Sequence, residues 1–511
     1  MQTGDQSETI AFLTAAGGRE RHETHISLIF LSAGLAWKLK RAVRLPYADF
    51  STPDLRLAAC RKELALNRDA APGLYRAVRS ITRRDDGGLE WDGPGAAVDH
   101  VVEMARFDQR DLFSVMAAEG RLPLPTIETL AAEIAARHAA APVAGDPAGA
   151  ARVARVLAVN EAGFATSHVL PAPDVDRLSA QFRHALDGHA ARLDDRARGG
   201  RVRRCHGDLH LRNICQWQGR PRLFDCLEFN DDLATTDTLY DLAFVLMDLW
   251  DTGLHRHANR LANRYMDAVE GEDVSGWTLL PFFMAIRAAV RAHVTATQAE
   301  ESRGAAGFDD LAGRARRYLD LARTLLDPAR GRVIALAGLS GSGKTTLAER
   351  LAPELAPPPG ARILETDRIR KALFGVAATR RLPAEAYAPA VSQRVYARLS
   401  DRVAALADQQ AAVIATAVLD RRADRDALAA AAGGHRFDGI WLSAAPGVLR
   451  ARIGARSAGA SDADAAVLDR QIAAQAAMPD DWPRIDVSGD VPDTLARLRC
   501  ALGLPAAAGR H

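Results

Sequence analysis

The chain has 511 residues with 66 Lys plus Arg against 64 Asp plus Glu, a formal net charge of +2. That balance gives no bulk attraction to nucleic acid or to an anionic membrane, and the length is enough for roughly three domains, each burying its own core. The five cysteines (60, 205, 215, 226 and 500) lack metal-ligand or disulfide spacing, the start of the chain is polar, and no run of about 18 uninterrupted apolar residues occurs. The expectation is a soluble cytoplasmic protein without a membrane partner.

Only five residues are lysine (38, 40, 62, 344 and 371), which leaves 66 − 5 = 61 arginines. Where Arg replaces Lys this freely, a retained Lys marks a position that needs a compact ammonium.

In chain order, residues 26–48 form a hairpin: Ile26 to Leu31, a Ser-Ala-Gly turn, then Leu35-Ala36-Trp37-Lys38-Leu39-Lys40. Lys38 and Lys40 share one face of the second strand because side chains alternate. A helix over about 53–70 starts at Ser51-Thr52-Pro53 and carries Glu63. A strand Lys followed by a Glu on the next helix is how kinases hold the α/β-phosphates of ATP. Strand-like stretches at 75–83 and 98–107 complete a small antiparallel sheet with one helix. Residues 124–198 read as Ala/Leu/Arg-rich helix, broken at Pro142, Pro147 and Pro171.

The stretch Cys205-His206-Gly207-Asp208-Leu209-His210-Leu211-Arg212-Asn213 follows, and Asp225 lies twelve residues beyond Asn213. An Asp with a His two residues before it and an Asn five after it has the spacing of a kinase catalytic loop. Asp208 has the chemistry to accept the proton of an attacking hydroxyl, while Asn213 and Asp225 supply oxygens for Mg²⁺. Between 225 and 251 there are eight acids and no Lys or Arg. An acidic wall would suit a cationic acceptor such as an amino sugar. The preferred reading is that these acids cap a helix, position the catalytic loop or face water.

His-Gly-Asp-Leu-His-x-x-Asn, the later Phe-Asp, and Asp237 with Asp241 in Asp-x-x-x-Asp-Leu-Ala resemble the aminoglycoside phosphotransferase/choline kinase-like family. The opening Glu-Thr-His-Ile-Ser, Trp-Lys-Leu-Lys-Arg and Asp49-Phe50-Ser51-Thr52 resemble a bacterial branch of it that often carries a C-terminal P-loop kinase-like domain. The resemblance spans nearly all of 1–325. It implies a bilobal α+β protein-kinase-like module over 1–328, with a small lobe over about 1–107 and a large lobe over about 108–328. Asp208 would be the base, Asn213 and Asp225 the Mg²⁺ ligands, and Lys38 or Lys40 the partner of Glu63. The sequence departs from the kinase pattern in having no Gly-rich loop near the start and Cys-Leu after Asp225. Family likeness does not name the acceptor.

Residues 255–325 read as helices, several Arg-rich, ending at the Pro/Gly link 326–331. The apolar Val333 to Ala337 then leads into Gly338-Leu339-Ser340-Gly341-Ser342-Gly343-Lys344-Thr345-Thr346. Strand, Gly-rich turn, Lys-Thr and helix make a phosphate-binding P-loop, which opens a three-layer α/β/α module with a parallel sheet over 329–511. Lys344 reaches the β/γ-phosphates and Thr345 holds Mg²⁺ in this motif. Strand 361–364 ends in Glu365-Thr366-Asp367, with Arg370 beyond. Ligands of such sheets sit past the strand ends, so Asp367 is a candidate base and Arg370 a candidate acceptor or charge-stabilising group. Asp-x-x-Arg there resembles polynucleotide kinase and related small hydroxyl kinases. Those relatives usually carry an Asp after the next buried strand, where this chain has Thr416. By the same resemblance, Arg452 and Arg456 belong to a lid that closes on the phosphates, and Val487-Ser488-Gly489 ends the last strand near the base.

These readings give a bifunctional ATP- and Mg²⁺-dependent phosphotransferase acting on hydroxyl-bearing acceptors, small molecules first, with nucleic acid less favoured. Two alternatives remain. Either the C-terminal module is the sole working kinase, on a polynucleotide 5′-hydroxyl for instance, and the first module recognises the target; or the P-loop module binds ATP as a switch that regulates the first.

Overall fold

The computed structural model describes every residue except 1–3, 19, 46–47, 270–273, 305–306, 329, 356, 456–459, 474–481 and 506–511. The chain folds as two compact units, Met1–Glu161 with Leu186–Thr252, and Ala162–Ala185 with Gly253–His511.

The first unit begins with helix α1 (Ser7–Ala15) and strands β1 (Glu20–Glu23), β2 (Ser27–Leu31) and β3 (Leu35–Lys40). Helix α2 (Pro53–Arg68) follows, its first turn closed by Thr52 Oγ1 accepting Leu55 N–H, with Pro53 at the position that has no N–H to leave unpaired. Strands β4 (Tyr75–Arg83), β5 (Leu89–Trp91) and β6 (Ala97–Ala105) complete an antiparallel sheet in the order β1-β2-β3-β6-β4-β5. Strand β3 is central, and the face it shares with α2 is buried by Leu31, Ala36, Cys60, Leu74, Val102 and Met104. This is how two lysines come to lie inside: alternation directs Lys38 and Lys40 to the face that α2 covers.

The rest of the unit includes helix α3 (Leu124–Ala140), strand β7 (Val202–Arg204), the hairpin β8 (Ile214–Trp217) and β9 (Arg220–Leu223), strand β10 (Thr235–Asp237) and helix α4 (Thr238–Asp251). The segment read as catalytic loop runs between β7 and β8. Asp237 caps α4 through Leu239 N–H, and this helix is buried along nearly its whole length.

The second unit contains helices α5 (His255–Ala268), α6 (Leu280–Glu301) and α7 (Phe308–Leu325), then strand β11 (Arg332–Ala337), helix α8 (Lys344–Leu351), strand β12 (Arg362–Glu365) and helix α9 (Thr366–Leu373). After these come α10 (Pro389–Ala407), β13 (Ala412–Thr416), α11 (Arg422–Ala431), β14 (Arg436–Ser443), α12 (Pro446–Gly454), α13 (Ala465–Ala473), β15 (Arg484–Asp486) and α14 (Val491–Ala501). Its sheet is parallel throughout, in the order β12-β13-β11-β14-β15. Ile334, Leu336, Ile414, Ile440 and Leu442 fill the layer between the sheet and α8. Near-continuous apolar strands such as Val333–Ala337 are what a sheet covered on both faces requires. Over Gly276–Glu301, one helix is apolar and long enough to cross a membrane by composition, yet it is mostly buried within the fold.

Residues 253–325, read from sequence as the end of the first module, pack with the P-loop sheet. The reason is visible at strand β12, which is an edge of that sheet. Asn259 Nδ2 on α5 donates to the carbonyls of Pro359 (2.9 Å) and Ala361 (3.0 Å). Asn263 Oδ1 accepts the Ile363 N–H at 2.7 Å, so two buried amides stand in for a missing neighbour strand.

Candidate functional site

In the first unit the segment 205–213 is held from behind by acids of α4. Asp241 Oδ1 accepts Gly207 N–H at 2.8 Å, and Asp248 Oδ2 accepts Leu211 N–H at 3.1 Å. The other Asp241 oxygen lies 3.1 Å from His138 Nε2 on α3. Gly207 has φ +84°, and a Cβ there would stand 3.0 Å from the Leu227 side chain, so only glycine fits this turn. His206 Nε2 donates to the Phe224 carbonyl at 2.9 Å, tying the loop to the end of β9.

These bonds leave Asp208 half-exposed, with Asn213 Nδ2 donating to its Oδ2 at 3.1 Å and His210 Nε2 3.3 Å from the same oxygen. The Asn213 amide oxygen is not used in those bonds. Asp225 follows β9 in a left-handed conformation (φ +61°), unusual for Asp and over-determined by its surroundings. Its N–H donates to Tyr75 Oη at 3.1 Å, and the next N–H, of Cys226, donates to Asn67 Oδ1 on α2 at 3.0 Å.

Both lysines of β3 meet Glu63. Lys38 Nζ is 2.8 Å from Glu63 Oε1 and Lys40 Nζ is 2.6 Å from Oε2. Lys38 also pairs with Asp225, and Lys40 with Glu228. The two lysines differ in what lies beyond Glu63. Lys40 is fully buried, whereas Lys38 reaches Asp225, whose side chain is 38% exposed. Burial opposes the charge of both ammoniums, but the surrounding carboxylates outweigh it and hold both above the ordinary lysine range. Burial likewise works against Glu63 ionising, and Lys38 with Lys40 overcome it, keeping its carboxyl well below the usual range. Glu228 goes the other way: burial raises it more than Lys40 lowers it.

The acids of 225–251 are largely engaged inside the fold. Asp237 pairs with Arg196, Asp231 with Lys62 and Arg204, and Asp241, Asp248, Asp225 and Glu228 are held as above. Asp241 and Asp248 hold the 205–213 segment and Asp237 caps α4.

In the second unit, Gly338 (φ +142°) and Gly341 (φ +84°) make the P-loop turn; a Cβ on Gly338 would come within 2.5 Å of the Leu442 carbonyl. Lys344 Nζ donates to the Gly338 and Leu339 carbonyls at 2.7 and 2.9 Å. Ser340 N–H donates to Gln471 Oε1 on α13 at 2.9 Å. Ser342 Oγ is buried with no hydrogen-bond partner among the described residues, as suits a cradle for phosphate oxygens. Thr346 is exposed on the first turn of α8. Thr345 Oγ1 donates to Glu365 Oε2 at 2.8 Å.

Asp367, on the first turn of α9, is pushed above its ordinary value mainly by burial, with a Ser461 hydrogen bond and the Lys344 charge pulling the other way. Arg370 is buried, donating from Nη1 to the Ala386 carbonyl at 2.7 Å and lying over the Tyr387 ring at 4.8 Å. Arg452 donates to the carbonyls of Val487 (2.6 Å) and Gly489 (3.3 Å), so its bonds go to the end of the last strand. Arg456 lies outside the described residues. Lys371, a retained lysine, anchors a loop: its Nζ donates to Ala378 O at 2.8 Å and pairs with Asp462 at 2.9 Å.

Sequence reading missed Glu365 and the α5 residues that surround it. A signal for the latter exists, the pairs Asn259-Arg260 and Asn263-Arg264 at four-residue spacing, which puts like side chains on one helical face.

Residues 333–478 match the family model of an AAA domain. Uncharacterized proteins of Mycobacterium tuberculosis and Mycobacterium bovis are 29% identical to this chain over 357 residues, 69% of this chain and 68% of theirs. Among solved structures, a choline/ethanolamine kinase family protein from Mesorhizobium loti is 16% identical, covering 63% of this chain and 95% of that one at a TM-score of 0.40. A sugar kinase from Janibacter is 25% identical, covering 36% of this chain and 100% of that one at a TM-score of 0.27. Choline/ethanolamine kinase-like proteins and P-loop sugar kinases are thus both among the proteins to which this chain is similar.

Proposed function

We propose that the chain is a cytoplasmic, bifunctional phosphotransferase that moves the γ-phosphoryl group of ATP to hydroxyl acceptors at two sites. The observation that carries the reading is the meeting of Lys38, Glu63 and Asp225, drawn from a strand, a helix and a loop, in one polar cluster, with Asp208 and Asn213 bonded to each other on the loop before β8. A fold gains little stability by burying Lys38 and Lys40 with Glu63 and Glu228, since an apolar replacement of similar volume is often as stable. Their arrangement is what phosphoryl transfer needs, because its catalysis is mainly positioning and electrostatics.

Asp208 is the base in the first module. Asn213 and His210 fix its Oδ2, leaving the carboxylate to take the proton of the acceptor hydroxyl as the new bond to phosphorus forms. Lys38, oriented by Glu63, meets the α/β-phosphates, with Lys40 behind it. Asn213 and Asp225 offer amide and carboxylate oxygens, the hard donors that suit Mg²⁺, which would neutralise phosphate charge. In the second module the backbone of 338–346 binds phosphates, Lys344 leaves its own loop carbonyls to meet them, Thr345 holds Mg²⁺, and Asp367 is the base with Arg370 behind it. Small hydroxyl compounds are favoured as acceptors over nucleic acid because the net charge is only +2.

The test is transfer of label from γ-labelled ATP to a panel of sugars, amino alcohols and oligonucleotides by the full chain and its Asp208→Asn variant. One labelled product that disappears with Asp208→Asn while another, made at the P-loop site, persists supports the reading; every product formed equally by both refutes the role of Asp208.

A further inference from the structure

P-loop enzymes hold Mg²⁺ with the P-loop hydroxyl and an acid from a neighbouring strand. The strand beside β11 that would carry this acid is β13, and its end is Thr416, which has no charge to offer. One strand further out, Glu365 ends β12 directly opposite Thr416 in the register.

The two oxygens of Glu365 are used differently. Oε1 is gripped by two guanidiniums, Arg264 Nη1 at 3.1 Å and Arg368 Nε at 2.9 Å. Oε2 accepts the hydroxyl of Thr345 at 2.8 Å. The carboxylate is buried while Thr345 is exposed on α8, so the buried acid has one oxygen pinned from behind and the other aimed at the metal-holding hydroxyl. Arg264 does more than neutralise it. Its second nitrogen, Nη2, donates to Glu349 Oε1 at 2.9 Å on α8, the helix that begins with Lys344 and Thr345. Arg260 also pairs with Glu349, and Asp267, one turn on, accepts from Arg264 at 3.1 Å and from Arg362 at 2.6 Å. One guanidinium therefore joins the P-loop helix to the strand-end acid, and it stands on α5, outside the residues 333–478 that match the AAA family.

We infer that Glu365 takes the place of the missing acid at Thr416, steadying the Thr345 hydroxyl for the magnesium–nucleotide, and that Arg264 on α5 is the residue that positions it. This rests on the reading of 338–345 as a nucleotide site. A hydroxyl whose proton is held by a carboxylate presents its oxygen to a cation with more negative charge, and the fork of Arg264 holds that carboxylate with one nitrogen and Glu349 with the other. The nucleotide-binding unit of this chain consequently includes helix 255–268.

The experiment measures binding of a fluorescent ATP analogue to the full chain as Mg²⁺ is titrated, with EDTA as the metal-free reference and Lys344→Met to identify the P-loop fraction. In Glu365→Gln and Arg264→Met the Mg²⁺ concentration giving half-maximal Lys344-dependent binding rises about 10- to 100-fold, while metal-free binding stays within about twofold, with Arg264→Lys in between. Glu365→Gln keeps the shape of the side chain and decides the matter where Arg264→Met fails to fold, as its melting curve would show. A Mg²⁺ midpoint unchanged in Glu365→Gln overturns the inference alone. Absence of any Lys344-dependent binding in the parent chain overturns the P-loop reading and the inference with it.

Discussion

Replacing Lys40 by Met separates the two lysines of β3 more sharply than any other change. Lys40 lies fully buried between Glu63 and Glu228, with the Phe50 ring 5.7 Å from its Nζ. At the 2.6 Å separation from Glu63 the gross attraction is about 6 kcal/mol for an effective dielectric of about 20. Most of that is offset by the cost of taking both charges out of water, and removing one partner of such a pair costs about 3–5 kcal/mol. Met keeps the length and apolar stem, so the loss is electrostatic and not a cavity. It is also pH-dependent, with a definite sign. Burial already raises Glu228, and without Lys40 its carboxyl lies higher still above the unfolded value, while Glu63 loses one of the two ammoniums that hold it down. Stability of the variant is therefore recovered as pH falls and the acids take up protons, and lost as pH rises. Urea unfolding of parent and variant at pH 8 and pH 5.5 should show a deficit of about 3–5 kcal/mol at the higher pH and a smaller one at the lower. Lys38→Met, beside the half-exposed Asp225, should instead lose turnover with a smaller loss of stability. A Lys40→Met chain as stable as the parent at pH 8 would refute the assignment of Lys40 as the structural lysine.

Asp241→Asn keeps one acceptor but turns an amide N–H toward Gly207 N–H or His138, so the catalytic loop shifts; turnover should fall by about a hundredfold with little change in KM for ATP. Asn263→Leu leaves Ile363 N–H without its partner and should cost about 1–3 kcal/mol locally, read as faster hydrogen exchange at that amide. His293, packed against the Phe164 ring, is pushed down to about 4 by burial. A folded value below the unfolded 6.5 means its neutral form contributes nothing unfavourable above pH 6.5, and stability falls as pH drops from there through 4, by up to about 3 kcal/mol. Melting temperatures of parent and His293→Gln against pH should diverge in that window, and parallel curves would refute it.

Much of this site could be read in the sequence because its chemistry fixes local spacing. The glycines of 338–343 and the intervals between His206, Asp208 and Asn213 are set by one turn of backbone each. The alternation that puts Lys38 and Lys40 on one face is equally local, but which of them lies deeper depends on Glu228 and Phe50, far away in the chain. The acids of 225–251 were visible as a cluster, and their roles follow only when Gly207 and Leu211 are seen to need acceptors. The α5 residues went unread for a compositional reason: with 61 arginines in the chain, an Arg-rich helix carries little signal. What marks Arg264 is burial with three carboxylates, two of them, Glu349 and Glu365, far away in the chain.

The most direct test of the account is ATP turnover by the full chain, its Asp208→Ala and Lys344→Met variants and the double variant, with Mg²⁺ and any acceptor that becomes labelled. Two working sites predict that each single variant retains the turnover of the other site and that the double variant has none. Turnover that survives in the double variant, or that Asp208→Ala leaves untouched, would contradict it.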